Sequence, residues 1–425
     1  MSLPPFPRMM PARQFFPAPP ALNLSEALGR ELARFGPRLR PGARIAVGVG
    51  SRGISNLLPI VRAAIEYLKG AGVEPFVVPA MGSHGGATPA GQLELLAEYG
   101  ITEAALGVPI DAAMEAQKIG ASPDGVKVYF ANAALAADGV LVINRVKPHT
   151  DFQSVTIGSG LLKMLVVGLG KQLGAANFHT YSSRIGYEHM LRASAKVTLS
   201  SAPILGGLAI VEDQYHATSK VAAVLPEEME AREAELYREA RRLMPQLPFE
   251  DIDLLIIDHI GKNISGSGMD PNVIGRSLHG YSALLSDRST RPVIRRIFVR
   301  DLTPESHGNG VGVGLADFTT ARLVRGIDQR VTYLNSLTAM SMQGAKIPIH
   351  FETDREAIGR ALESLALPDT AQAKVLRIHN TLSLEHVEVS EAFGEELKGR
   401  PEVKAQAAPA PMRFDAQDNL QPLAE

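Results

Sequence analysis

Three short runs, Arg44-Ile-Ala-Val-Gly-Val49, Pro75-Phe-Val-Val78 and Gly139-Val-Leu-Val-Ile-Asn144, are apolar at successive positions rather than at every second one. A strand with one wet face alternates, whereas a strand apolar throughout is covered on both faces, as in a parallel sheet flanked by helices. Between the first two runs, residues 56–70 carry Leu57, Ile60, Val61, Ala64, Ile65 and Leu68 at helical spacing and end on Gly70 and Gly72. After the second, Thr88-Pro89 supplies a cap and a first-turn proline for a helix reaching about Tyr99. Upstream, residues 24–35 read as an amphipathic helix with Ser25 as its cap. A further apolar run, Ile204–Val211, belongs to the same half. Alternating strands and helices of this kind predict a mostly parallel α/β sheet.

The pattern restarts later. A charged helix over residues 226–242 stops at Met244-Pro-Gln-Leu-Pro248. Beyond it Asp253-Leu-Leu-Ile-Ile-Asp258 and Val293–Val299 read as strands, and Arg355–Leu365 reads as a helix. The expectation is two α/β domains with mostly parallel sheets, one over residues 21–245 and one over 250–397. A Pro-rich irregular arm is expected at 1–20 and a disordered Ala/Pro/Gln-rich tail at 398–425. The arm has five prolines in its first eighteen residues and no uninterrupted apolar core, so it does not read as a secretory signal. No stretch approaches the roughly 18–20 apolar residues of a membrane span, and a cytoplasmic location is the expectation. The net charge of −2 offers no basic surface for nucleic acid or anionic membrane. Without cysteine the chain has no disulfides, thiolate metal sites or cysteine nucleophile.

In such sheets ligands gather at the carboxyl ends of the strands, and there the chemistry-bearing residues concentrate. Ser51 and Arg52 lie in the turn after the first strand, where an arginine can clamp a carboxylate through two parallel hydrogen bonds. His84 follows the second strand in Met81-Gly-Ser-His-Gly-Gly86, and His149 follows the third in Lys147-Pro-His149. Lys163 stands inside the apolar run Leu161–Val167, where a lysine must snorkel, pair or react. His179 closes Asn177-Phe-His179, while His189 and His216 show no informative spacing. Neither a His-Glu-x-x-His motif nor a phosphate-binding Gly-Lys-Ser/Thr loop is present, and Gly310-Val-Gly-Val-Gly314 is a glycine loop rather than a dinucleotide fingerprint. These residues are compatible with a metal site, a general-base pair, a covalent anchor at Lys163 or an ordinary helix lysine.

Their order resembles the nickel-dependent lactate racemase family, whose members use a nickel-pincer nucleotide. Ser51-Arg52, Gly82-Ser-His84, Pro148-His149, Lys163 and, sixteen residues later, His179 follow the family's order. The chain reads Gly160-Leu-Leu-Lys163 where the family carries Gly-Gly-Arg-Lys. The resemblance implies two α/β domains with the active site in the cleft between them, and racemisation or epimerisation of a 2-hydroxy acid. It further implies His84 and His149 as acid and base, and Arg52 as the carboxylate contact. Lys163 is then covalently joined to the cofactor with Ser51 nearby, and His179 binds nickel. Lys262, in Gly261-Lys-Asn263, is the expected substrate contact from the second domain. The implied partners are a small 2-hydroxy acid and the cofactor-biosynthesis enzymes. Two other classes stay open: an α/β protein of the same fold binding a sugar acid or nucleotide, and a three-histidine metallohydrolase.

Overall fold

A computed structural model describes residues 2–50, 53–150, 152, 154–277 and 292–423. The chain forms two compact α/β units, residues 18–244 and residues 1–17 together with 245–425.

In the unit of residues 18–244, the described residues form a five-stranded sheet. Its order is Glu74–Pro79, Arg44–Val49, Gly139–Arg145, Ile204–Glu212 and Thr218–Val224. The first four strands are parallel and the last is antiparallel to its neighbour. The doubly apolar runs are explained directly. Ala46, Val140 and Val142 face one core with Leu161, Leu165 and Phe178, while Val47, Leu141 and Ile143 face another with Ile60, Val61 and Leu68. Helix Leu57–Gly70 lies on the second face, and helices Lys171–Ile185, Tyr187–Ser201 and Met229–Arg242 serve the first. The cap of helix Leu24–Leu32 is Asn23, whose side chain accepts from the Glu26 N–H, not Ser25. Thr88 caps helix Pro89–Glu98 through the Gly91 N–H.

The strand order reverses at Arg44–Val49, which has the next strand in sequence, Glu74–Pro79, on one side and Gly139–Arg145 on the other. The loops leaving Arg44–Val49 and Gly139–Arg145 diverge at this point, and a crevice at such a switch is where open α/β sheets bind ligands.

The second unit is a larger mixed sheet. Ile349–Phe351, Phe318–Thr320, Val293–Leu302, Asp251–Ile260 and Val375–Ile378 run parallel, and His386–Ser390 continues the sheet antiparallel. The predicted N-terminal arm and C-terminal tail both become strand here. Arg8–Gln14 pairs with His386–Ser390 on one side and with Val403–Ala405 on the other, and Ala410–Pro411 also pairs with it. Proline density misleads because Pro11 needs no donor: its carbonyl accepts from the Gln406 N–H at 2.8 Å. Met9, Met10 and Ala12 are buried. The tail is polar in composition but anchored at its end by buried Leu420, whose N–H donates to Asp354 and whose carbonyl accepts from Arg300. Among the described residues no helix is long and apolar enough to cross a membrane.

Candidate functional site

The strand Gly139–Arg145 runs into a loop whose base is closed by two backbone hydrogen bonds, Lys147 N–H to Ser159 O and Ser159 N–H to Lys147 O, both 2.8 Å. Closing the loop returns the chain to the strand end, and the Asn144 side-chain amide donates to Gly160 O at 3.0 Å. A short helical turn, Leu161–Lys163, starts there. This geometry brings residues fourteen apart together: Lys163 Nζ lies 2.7 Å from His149 Nε2. An ammonium only donates, so a protonated Lys163 makes Nε2 the acceptor and leaves the imidazole in its basic, neutral form. The Tyr187 hydroxyl is 3.3 Å from the same nitrogen.

His149 is buried and stacks on Phe152 with ring centroids 5.0 Å apart. Tyr187 stacks on Phe152 at 4.3 Å and meets His149 at 4.8 Å. On its other side Tyr187 meets Phe178 edge-on at 4.9 Å and His179 at 6.4 Å. His179 projects from helix Lys171–Ile185, so Lys163, His149 and His179 converge on one aromatic wall. Sequence periodicity gave no sign of that wall, because Phe152, Phe178 and Tyr187 come from a loop and two different helices.

A buried carboxylate holds the start of the Lys163 turn. Glu233 Oε2 accepts from the Leu162 N–H at 2.9 Å, and the acid is almost fully enclosed. Burial pushes its pKa up to about 7, against the opposing pull of the Leu162 and Leu161 N–H groups and of Arg192. Gly160 makes room for it: a Cβ there would sit 2.3 Å from Glu233 Oε1. Sequence reasoning missed this residue, although its helical spacing among apolar residues was a signal that could have found it. Met229, Glu233, Leu236, Tyr237 and Ala240 share one buried helical face, and Glu233 is its sole acid. Directly after Lys163, residues Met164–Gly168 form a π-turn, closed by Leu169 N–H to Met164 O at 2.8 Å. Such turns occur frequently at functional sites.

The His84 loop is tied to this turn, since the Gly82 N–H donates to Gly168 O at 3.0 Å. From the other side, the fully buried Gln92 amide donates to Gly82 O at 3.1 Å and His84 O at 3.3 Å. Lys171 completes a clasp: its Nζ donates to Pro79 O at 2.9 Å and lies 3.4 Å from Gln92 Oε1. Lys171 is wholly enclosed, and burial lowers its pKa to about 8 despite Asp111 and Glu115. It also adopts φ +53°, a left-handed conformation uncommon for a side-chain-bearing residue. Gly85 packs so closely on Gly91 that a Cβ would stand 2.5 Å from its carbonyl carbon. The loop backbone is therefore fixed while His84 itself is exposed.

Of the residues expected from sequence, His149, Lys163 and His179 are brought to one place, and the His84 loop abuts the segment that follows Lys163. Ser51 and Arg52 lie outside the described residues. Lys262 belongs to the other unit, where its Nζ donates to Gly266 O and its N–H to Ser306 Oγ. Among the described residues, no three His, Cys, Asp or Glu side chains are grouped to hold a metal ion, so the three-histidine site is not formed. His189 instead pairs with Asp124 at 2.9 Å.

The lactate racemase apoprotein from Thermoanaerobacterium thermosaccharolyticum has a similar fold, with a TM-score of 0.51 and 13% identity, over 88% of this chain and 99% of that one. No curated protein matches the sequence. Residues 57–287, more than half of the chain, match a family described as a domain of unknown function. The chain belongs to that family, DUF362.

Proposed function

We propose that this protein is a racemase or epimerase of a 2-hydroxy acid that works with a nickel-pincer nucleotide. The observation that carries the reading is the 2.7 Å approach of Lys163 Nζ to His149 Nε2, on the aromatic wall that His179 also reaches. The residues present suit such a group. Lys163 offers a half-buried amine for covalent linkage, and His179 offers one imidazole from a separate helix. Imidazole suits nickel, and a cofactor bringing its own donors asks the protein for few. Lys163 and Ser51 would hold the cofactor and His179 its nickel.

When bound, the cofactor supplies a centre that accepts and returns hydride. The chain's own residues handle the proton and the orientation. His149, whose Nε2 lies beside Lys163, is assigned to take the hydroxyl proton, and His84 is assigned the same task for the opposite hand of the substrate. Histidine serves both directions because its ordinary pKa of about 6.5 lets it act as acid or base near neutrality. Arg52 would clamp the carboxylate, and Lys262 is assigned a substrate contact. The buried Phe178 ring and the partly buried Phe152 and Tyr187 rings would keep water from the proton held on His149.

The test is intact-protein mass spectrometry and nickel analysis on protein produced alongside the cofactor-making enzymes. The expected result is a covalent adduct mapping to Lys163 with nickel in matching amount, lost in Lys163→Ala, followed by interconversion of 2-hydroxy acid enantiomers. Absence of both adduct and nickel would overturn the reading and leave a fold that binds its ligand without this cofactor.

A further inference from the structure

Helix Gln329–Thr338 is built inside out. Its buried residues are Thr332 and Ser336, while Val331, Tyr333, Leu334 and Leu337 are exposed, the two leucines by 68% and 62%. The polar face has a use. Thr332 Oγ1 accepts from the Gly310 N–H at 3.0 Å, Ser336 Oγ donates to Ser341 O at 3.0 Å, and Asn335 accepts from Asn309. The helix is thus pinned by hydrogen bonds to the 308–310 loop and to its own C-terminal turn, with its apolar residues turned away from the protein. A helix in a soluble fold ordinarily does the reverse.

The exposure continues beyond the helix through Met340, Met342, Ile347 and Ile349. Half of the exposed large apolar residues among the described residues fall between positions 331 and 349. Ile349 lies on Ile349–Phe351, an edge strand of the larger sheet, and edges of this kind are normally protected by charge or cover. Yet residues 331–345 contain no Asp, Glu, Lys or Arg, in a chain that is 21% charged.

We propose that this surface is the contact between two copies of the chain, related by a two-fold axis. Two observations select a second copy as the occupant. The segment 331–345, uncharged between the exposed Arg330 and Lys346, meets its own copy without like-charge repulsion along its length, which a segment carrying either sign could not do in an isologous pair. The area also fits. The eight residues together expose the equivalent of about four complete large side chains, on the order of 800 Å² at 150–250 Å² each, close to what one partner contributes to a standard interface. Tyr333 and the two methionines suit the centre of such a contact, where aromatic residues and Met are enriched.

The test is the mass of the full chain in solution, by sedimentation velocity and light scattering over a concentration series. The expected result is a dimer that dissociates on dilution. The double variant Leu334→Glu with Leu337→Glu is expected to run as a monomer with unchanged far-UV circular dichroism and the melting temperature of the wild type diluted to monomer, because both side chains are exposed. Leu382→Glu, an exposed leucine outside the patch, is the control and stays dimeric. A wild-type chain that is monomeric at every concentration overturns the proposal, whether or not the patch then binds lipid vesicles or a peptide. A double variant that remains dimeric overturns it equally, since the interface then lies elsewhere. Both measurements are independent of any enzymatic activity.

Discussion

Two glycine-rich loops leave the carboxyl ends of parallel strands, Met81–Gly86 in one unit and Gly261–Gly268 in the other, and they are held in opposite ways. The first is gripped from outside: Gly168 accepts from Gly82, the Gln92 amide donates to two of its carbonyls, and Lys171 braces Gln92. The second is knotted on itself and its neighbour. Gly261 N–H donates to Gly268 O, Ser265 and Ser267 share a 3.0 Å hydrogen bond, Lys262 reaches back to Gly266, and Thr303 and Ser306 close over Asn263 and Lys262. A loop clamped at its backbone by buried groups does not need its side chains for closure, and His84 is exposed. A loop that uses its own side chains for closure has fewer to spare. Position at the end of a parallel strand therefore marks both loops as candidate sites, and the hydrogen bonds tell them apart.

The sharpest way to break this contrast is to remove the side chain that the first loop presents. If His84 moves a proton in turnover, His84→Ala lowers kcat by about 10²–10⁴-fold, the usual worth of a general acid or base. Loading of Lys163 stays intact, and stability changes by no more than about 1 kcal/mol because the residue is exposed. Steady-state kinetics beside adduct mass and a thermal melt separate the three. A kcat near wild type rejects the two-histidine assignment while leaving the cofactor assignment standing.

Glu233 comes next in size. Its folded-state pKa of about 7 lies above the ordinary 4.5 because burial disfavours the charged form. The folded state therefore binds the proton more tightly than the unfolded one. The sign follows: the stabilisation is complete below about pH 4.5 and is lost as pH rises to about 7, on the order of 3 kcal/mol in all. Denaturant titrations at steps between pH 4.5 and 7.5 should show stability falling, and Glu233→Gln should flatten that dependence. An unchanged slope in the variant would assign the effect to other groups.

The expectations from sequence held where local physics decides and failed where distant segments meet. The strands Arg44–Val49 and Gly139–Arg145 were legible because burial on both faces writes itself as an unbroken apolar run. Thr88-Pro89 was legible because a cap and a first-turn proline are local chemistry. Arg8–Gln14 was not, because its partners are more than 370 residues away and Pro11 argues locally against a strand. The outer strands of the larger sheet escape notice for a different reason: Phe318–Thr320 and Ile349–Phe351 are only three residues long, too short for a periodic signal. In the site, His149 stood out as a histidine in the loop after a strand and Lys163 as a lysine inside an apolar run, whereas His179 entered only through the order of residues shared with the racemase family. Their shared surface was not legible, since Tyr187 and Phe152 meet only after the 147–159 loop closes.

Gln92 tests the clamp itself. Gln92→Ala removes two donors and leaves Gly82 O, His84 O and Lys171 short of partners in a buried setting, a loss of about 1–3 kcal/mol. Gln92→Glu splits the two halves of the clasp. A carboxylate still accepts from Lys171, and more strongly, but cannot donate to the loop carbonyls. Stability should then recover toward wild type while amide exchange at residues 82–86 stays as fast as in Gln92→Ala. If exchange slows along with recovered stability, the loop is held by Lys171 and Gly168 alone.

The smallest effect is expected in the second loop. Lys262→Ala removes the hydrogen bond from Nζ to Gly266 O, in a loop whose backbone bonds from Gly261 to Gly268 and Ser265 to Gly261 remain. The cost in stability should be about 0.5–1.5 kcal/mol. In turnover, a residue that only holds substrate raises KM and spares kcat, because it contributes equally to the bound substrate and the transition state. Measuring both constants decides whether the self-knotted loop has any part in the site. A raised KM at constant kcat makes Lys262 a binding contact. Unchanged constants with the small stability loss leave it a structural tie, with the proposed chemistry resting on residues of the 18–244 unit.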